Sequence, residues 1–140
     1  MNLTIRNQIP ATVISVTRGG VMATVKARLA GGQTVTASVT VEAVDDLGIA
    51  EGSTVTVLAK STEVALALGE VHGLSIRNQI PGVVTQVDLG AVMATAKIAI
   101  DGSGLLTAAI TKDAAVELGL SADSHVTALI KSTELSLASV

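Results

Sequence analysis

Sliding the chain along itself by 71 residues lays positions 3–68 over 74–139 without a gap, and 32 of the 66 pairs are identical. LTIRNQIP (3–10) meets LSIRNQIP (74–81), VMAT (21–24) meets VMAT (92–95), and KSTE (60–63) meets KSTE (131–134). Self-similarity of this kind within 140 residues restricts the fold to one small unit built twice. The division that follows is a first unit over 1–69, a linker over 70–73 and a second unit over 74–140. So short a linker predicts two units packed together.

Each unit reads as β-rich. Val21, Ala23, Val25, Ala27 and Leu29 alternate with Met22, Thr24, Lys26 and Arg28, the period of two of a half-buried strand, and Val92 to Ile100 repeats it. Gly19-Gly20 and Gly90 precede these runs; Gly31-Gly32 and Gly102-Ser103-Gly104 follow them, as hairpin turns require. Further strands fit Thr4–Val16, Thr34–Val39, Thr54–Lys60 and Val64–Leu68, about five per unit. One segment departs from the pattern. Thr40 to Gly48 and Thr111 to Gly119 place Thr at an N-cap, an acid early and Gly at the end, which predicts a short helix. The predicted class is all-β with one short helix per repeat, as two tandem OB-like five-stranded Greek-key barrels.

Composition limits what such barrels can do. There is no Phe, Tyr or Trp, so the core must come from Val, Ile, Leu, Ala and Met. A unit this small buries only about 60% of the surface its unfolded chain exposes. Pairing of units and a cyclic homo-oligomer are the expected remedy, against the alternative of a compact two-barrel monomer. Nine basic residues against twelve acidic ones leave a charge of -3, and no aromatic platform exists, so a nucleic-acid partner is not expected. Without cysteine there are no disulfides, thiolate nucleophiles or Cys-based metal sites. Mean hydropathy is +0.62. Yet the longest uncharged run, Leu29 to Val41, is 13 residues, and a bilayer span needs about 20 apolar residues. The opening Met-Asn-Leu-Thr-Ile-Arg carries no secretory pattern, so a cytoplasmic protein without a membrane partner is expected.

The repeat also filters the chemistry, because divergence between halves shows which groups two copies of one fold keep. The charged positions kept identical are Arg6/Arg77, Lys26/Lys97, Lys60/Lys131 and Glu63/Glu134. An opening strand would put Thr4 beside Arg6, and Ser75 beside Arg77, on one face. Lys60-Ser61 and Lys131-Ser132 leave the end of a strand with a second cation and a second hydroxyl. Thr40 and Thr111 sit at helix starts, next to unpaired N–H groups. These groups are almost all donors, which suits a small tetrahedral oxyanion and disfavours a metal cation. One ion pair about 4 Å apart gains on the order of 4 kcal/mol at an effective dielectric of 20. Micromolar binding needs roughly 8 kcal/mol net, so converging cations are required, within a barrel or across an interface.

Each feature has a structural alternative. Arg6 and Arg77 could pair with Glu63 and Glu134; Lys26 and Lys97 fit a solvated outer face better than a site. Asn7-Gln8 and Asn78-Gln79 fit a turn or bulge, and Met22 and Met93 fit packing. Catalysis finds no support: His72 lies in the linker, His125 replaces Thr54, and no acid–base dyad or His metal set is repeated. The glycines form neither a Walker A motif nor a G-x-G-x-x-G fingerprint. No enzymatic activity and no catalytic cofactor are expected.

At LTIRNQIP and LSIRNQIP, followed by VMAT, the T-x-x-A-x-x-x-L-G helix and KST, the chain resembles the molybdate-binding Mop domain family, in its tandem form called molbindin. The resemblance covers essentially all of both units. It implies OB-like barrels assembled as a trimer of tandem chains, with molybdate or tungstate held at interfaces between barrels and molybdenum present only as the oxyanion. The ligand groups it implies are Thr4, Arg6, Thr40, Lys60 and Ser61, with Ser75, Arg77, Thr111, Lys131 and Ser132 in the second unit. Thr4 stands where the family usually has Ser. Ala43 and Ala114 stand where some relatives carry a further hydroxyl, which leaves only a backbone N–H there. The function implied is reversible intracellular oxyanion binding for molybdenum storage or homeostasis. The alternatives are a ligand-free structural oligomer and an OB-type nucleic-acid module.

Overall fold

Alternating burial builds each sheet. In β2 (Met22–Leu29) every second side chain is buried, from Ala23 through Val25 and Ala27 to Leu29, while Lys26 and Arg28 face out. The computed structural model, which describes residues 2–140, flanks this strand with β1 (Asn7–Arg18) and β3 (Thr34–Thr40), both antiparallel to it. Helix α1 (Val41–Leu47) follows, capped by the Thr40 hydroxyl, which accepts from Ala43 N–H, and ended by Gly48 at φ 63°. Only a residue without Cβ takes that left-handed conformation at no steric cost. Then come β4 (Thr54–Ala59), a single 3-10 turn over Ser61–Glu63, and β5 (Ala65–Leu68). The second repeat gives β6 (Asn78–Leu89), β7 (Met93–Ile100), β8 (Gly104–Thr111), α2 (Lys112–Glu117), β9 (His125–Ile130), a 3-10 turn over Ser132–Glu134, and β10 (Ser136–Ser139).

The two five-stranded sheets run β10-β4-β1-β2-β3 and β5-β9-β6-β7-β8. Each therefore takes its fifth strand from the other repeat: Leu137 pairs with Val57, and Leu66 pairs with Ala128. Sequence predicts five strands per barrel but assigns all five to one repeat; the periodicity of β5 and β10 carries no information about which sheet edge they meet. β10 also lies against β3 and β5 against β8, which curls each sheet toward a barrel. In both long opening strands the register shifts, between Val13 and Ser15 and between Val84 and Gln86. Such a bulge bends the strand so that one element serves two partners.

The two cores are packed differently from the same plan. Ile98 stands for Ala27, Leu106 for Val35 and Ile130 for Ala59, while Gly82, Ala96 and Ala128 replace Ala11, Val25 and Val57. Ile98, Leu106 and Ile130 are fully buried. Larger side chains at some core positions are thus partly offset by smaller ones at others, the kind of exchange a close-packed core tolerates.

Besides the exchanged strands, side-chain bonds fasten the repeats to each other. Asn7 in β1 is buried and bonds the backbone of Thr107 in β8; Asn78 in β6 is buried and bonds the backbone of Thr36 in β3. At the hairpin ends, Gly31 N–H donates to Ser103 Oγ at 2.8 Å and Gln33 Nε2 to the Asp101 carbonyl at 2.7 Å. Among the described residues no buried side-chain polar atom lacks a partner. No helix among the described residues is long and apolar enough to cross a membrane.

Candidate functional site

The strand β1 begins at Asn7, so Thr4 and Arg6 precede it, and the shared strand face expected for them does not form. The reason is local. Arg6 turns back on its own chain, donating Nε to the Thr4 carbonyl at 3.2 Å and Nη2 to the Leu3 carbonyl at 2.7 Å. Arg77 does the same with Ser75 and Leu74, at 3.2 and 3.0 Å. Gln8 and Gln79 brace the bend by donating to the carbonyls of Ile5 and Ile76. Two of five guanidinium N–H groups are thereby spent on aiming the side chain, and the rest remain for a ligand.

Register sets the backbones that carry the cations at one end of each sheet. Asn7 pairs with Ala59 and Asn78 with Ile130, so Arg6 stands across from Lys60, and Arg77 across from Lys131, one position beyond the ladder. Each cationic pair thus lies at the same end of its sheet, on the exposed side. The alternative pairing of Arg6 and Arg77 with Glu63 and Glu134 does not occur. The ion pairs among the described residues are Arg18–Asp45 at 2.8 Å and the exposed His72–Glu70 at 3.7 Å.

The hydroxyls are distributed across repeats. The 3-10 turn carrying Ser61 packs against β8, which ends in Thr111, and the turn carrying Ser132 packs against β3, which ends in Thr40. In the second case the contact is direct: Ser38 Oγ donates to Ser132 Oγ at 3.0 Å. Ser61 therefore faces the strand that ends in Thr111, and Ser132 the strand that ends in Thr40. Sequence reasoning grouped these residues by repeat because it had no sight of the strand exchange.

Thr40 and Thr111 use their oxygen to cap Ala43 and Ala114 N–H at 3.1 and 3.0 Å. The cleft beside Thr40 is bordered by Glu42, Asp45 and Asp46, whose charges oppose an anion. Lys26 is exposed on the outer face, and Lys97 Nζ reaches Thr107 Oγ1 at 3.0 Å on the same side of its sheet. Asn7 and Asn78 are structural, as the sequence favours, though as clamps between repeats and not as turns. Met22 and Met93 are not in the core: they are about half exposed, beside Val21 and Val92 at 74% and 73% exposure. The exposed neighbours follow from the hairpin, which presents Val-Met before the buried alternation begins. No group of three or more His, Asp or Glu able to hold a metal exists among the described residues.

Two paired OB-like sheets, each with the same donor residues at one end, define a tandem double-barrel architecture. The chain belongs to the TOBE domain family, whose model matches residues 3–66 and 74–137. It is similar to the molybdenum-pterin-binding protein MopB of Rhodobacter capsulatus, 37% identical over 95% of this chain and 50% of that protein. It is also similar to the molybdenum transport protein ModE of Herbaspirillum seropedicae, 33% identical over 94% of this chain and 49% of that protein. The chain spans about half the length of these longer relatives. Among solved structures it matches the cytoplasmic molybdate-binding protein ModG, in a form with molybdate bound, at TM-score 0.97 and 33% identity over 100% of both chains.

Proposed function

We propose that this chain is a cytoplasmic binding protein for molybdate, holding the tetrahedral oxyanion reversibly for molybdenum storage or homeostasis, with no catalytic turnover and no catalytic cofactor. The observation that carries the reading is the register that sets Arg6 against Lys60 and Arg77 against Lys131, with Ser61 and Ser132 on the following turn. Guanidinium, ammonium and hydroxyl groups donate and do not compete for the anion's proton-free oxygens. The likeness to molybdate-bound ModG over the whole chain supports the same ligand.

The proposed site residues are Thr4, Arg6, Lys60 and Ser61 with Thr111, and Ser75, Arg77, Lys131 and Ser132 with Thr40. In a single chain Arg6, Arg77, Lys60 and Lys131 are all exposed, so further subunits must cover the anion if it is to leave water. The proposed assembly is a homotrimer, in which Val21, Val92, Val116 and Leu105 find partners; each is more than half exposed here.

Native mass spectrometry with and without sodium molybdate tests both parts. The expected result is a trimeric mass that gains whole molybdate increments, at least one per cationic pair. A spectrum that shows no increment at saturating molybdate would sink the binding reading, and a monomeric mass would sink the assembly.

A further inference from the structure

Ser38 in β3 and Ala109 in β8 occupy the same place in the two repeats. The difference falls where the 3-10 turns dock. Ser132 meets a hydroxyl, since Ser38 Oγ donates to Ser132 Oγ at 3.0 Å; Ser61 docks on the strand that offers only a methyl at that position. We infer that Ser38 is a positioning residue that makes the two oxyanion seats of one chain unequal, the seat around Arg77, Lys131 and Ser132 being the tighter. The inference rests on the molybdate reading above.

The chemistry runs through the single proton of Ser132. A fully ionised oxyanion only accepts, so Ser132 must give it that proton, which leaves the serine oxygen free to accept elsewhere. Ser38 fills that acceptor position. The bond fixes the rotation of the Ser132 hydroxyl before the anion arrives and polarises it toward donation. Both serines are half-buried, so water competes weakly for the bond. Ser61 has no such partner, and its hydroxyl must be ordered at the moment of binding. Charge acts in the opposite sense: Lys112 beside Thr111 stands where Val41 stands beside Thr40, and Glu42, Asp45 and Asp46 border the Thr40 cleft. All four charged side chains are exposed, so their effect is screened, and in roughly 0.5 M salt the screening length falls to about 4 Å.

Isothermal titration with sodium molybdate at that salt separates the two effects. The wild type shows two classes of site. Ser38→Ala weakens the tighter class by about threefold to tenfold, the range set by one neutral hydrogen bond. Ser38→Thr keeps the hydroxyl and retains it. Ala109→Ser strengthens the weaker class, a gain that a merely structural role for the position would not produce. One class of site in the wild type, or unchanged affinities in Ser38→Ala together with Ala109→Ser, overturns the inference and leaves molybdate binding standing. A wild type that takes up no molybdate overturns both.

Discussion

Asn7 holds the backbone of Thr107 with both ends of its side-chain amide: Nδ2 donates to the Thr107 carbonyl at 2.8 Å, and Oδ1 accepts the Thr107 N–H at 2.7 Å. A second bond from Nδ2 reaches the Ala59 carbonyl at 3.0 Å. The side chain thus imitates one step of a β-ladder between two sheets that do not otherwise pair there. Asn78 repeats the arrangement with Thr36 and Ile130, so the two halves are bolted at equivalent points.

Removing either bolt strands the backbone it served. Asn78→Ala leaves the Thr36 N–H and carbonyl without their partner in a buried setting, at a cost of about 2–3 kcal/mol. Urea unfolding of the intact protein reads this as a lower midpoint. Asn78→Asp should also destabilise, because a carboxylate cannot donate to the Thr36 and Ile130 carbonyls.

Gly82 is held small by Ile98. A Cβ at Gly82 would overlap Ile98 Cγ2 and lie 2.8 Å from the Ala99 carbonyl oxygen. Gly82→Ala is therefore expected to destabilise by about 1–3 kcal/mol. Adding Ile98→Ala recreates the first repeat's Ala11 and Ala27 combination and relieves the overlap with Ile98. The double variant should then lose less than the sum of the single losses, by a coupling of roughly 1 kcal/mol in a denaturant cycle.

Asp123 carries the strained turn of the second repeat. Its φ of 75° matches that of Gly52, at 88°, in the equivalent place, and it is the one non-glycine residue with positive φ among those described. Asp tolerates this region better than most side chains but still at a cost. Asp123→Gly should raise stability slightly, by no more than about 1 kcal/mol once the greater freedom of glycine in the unfolded chain is deducted. Thermal melting of the variant against the wild type checks the sign.

For the binding site, Arg77→Ala with Lys131→Ala should abolish one class of molybdate site and leave the oligomer intact. Both side chains are exposed and neither makes an ion pair among the described residues, so folding has little to lose. Unchanged anion stoichiometry in native mass spectrometry would defeat the site assignment. The class that vanishes also identifies which seat is the tighter one.

Much of this fold is legible in the residues, because the repeat doubles every local signal. The alternation in β2 and β7 and the Thr-capped helices stand where pattern and capping place them. The exchange of β5 and β10 is not legible: four-residue strands of small apolar residues fit either sheet edge, and only three-dimensional docking decides. The candidate donors are legible as residues that recur intact, Arg6, Lys60 and Ser61 as Arg77, Lys131 and Ser132. Their neighbours across the repeats are not. Whether Ser61 meets Thr40 or Thr111 depends on the crossing of the chain, and the Ser38–Ser132 bond links residues 94 positions apart. The bend at Arg6 is not legible either, because nothing in LTIRNQIP announces that its guanidinium prefers the carbonyls behind it.

The traded edge strands bear on what half of this molecule could do alone. Residues 1–69 contain one complete repeat, yet its β5 is shaped to complete someone else's sheet. A fragment of that length is expected to seek a twin and rebuild the same couple from two chains. It would do so only above some threshold of abundance. The tether at 70–73 abolishes that threshold by making the encounter internal, so that dilution cannot separate the halves.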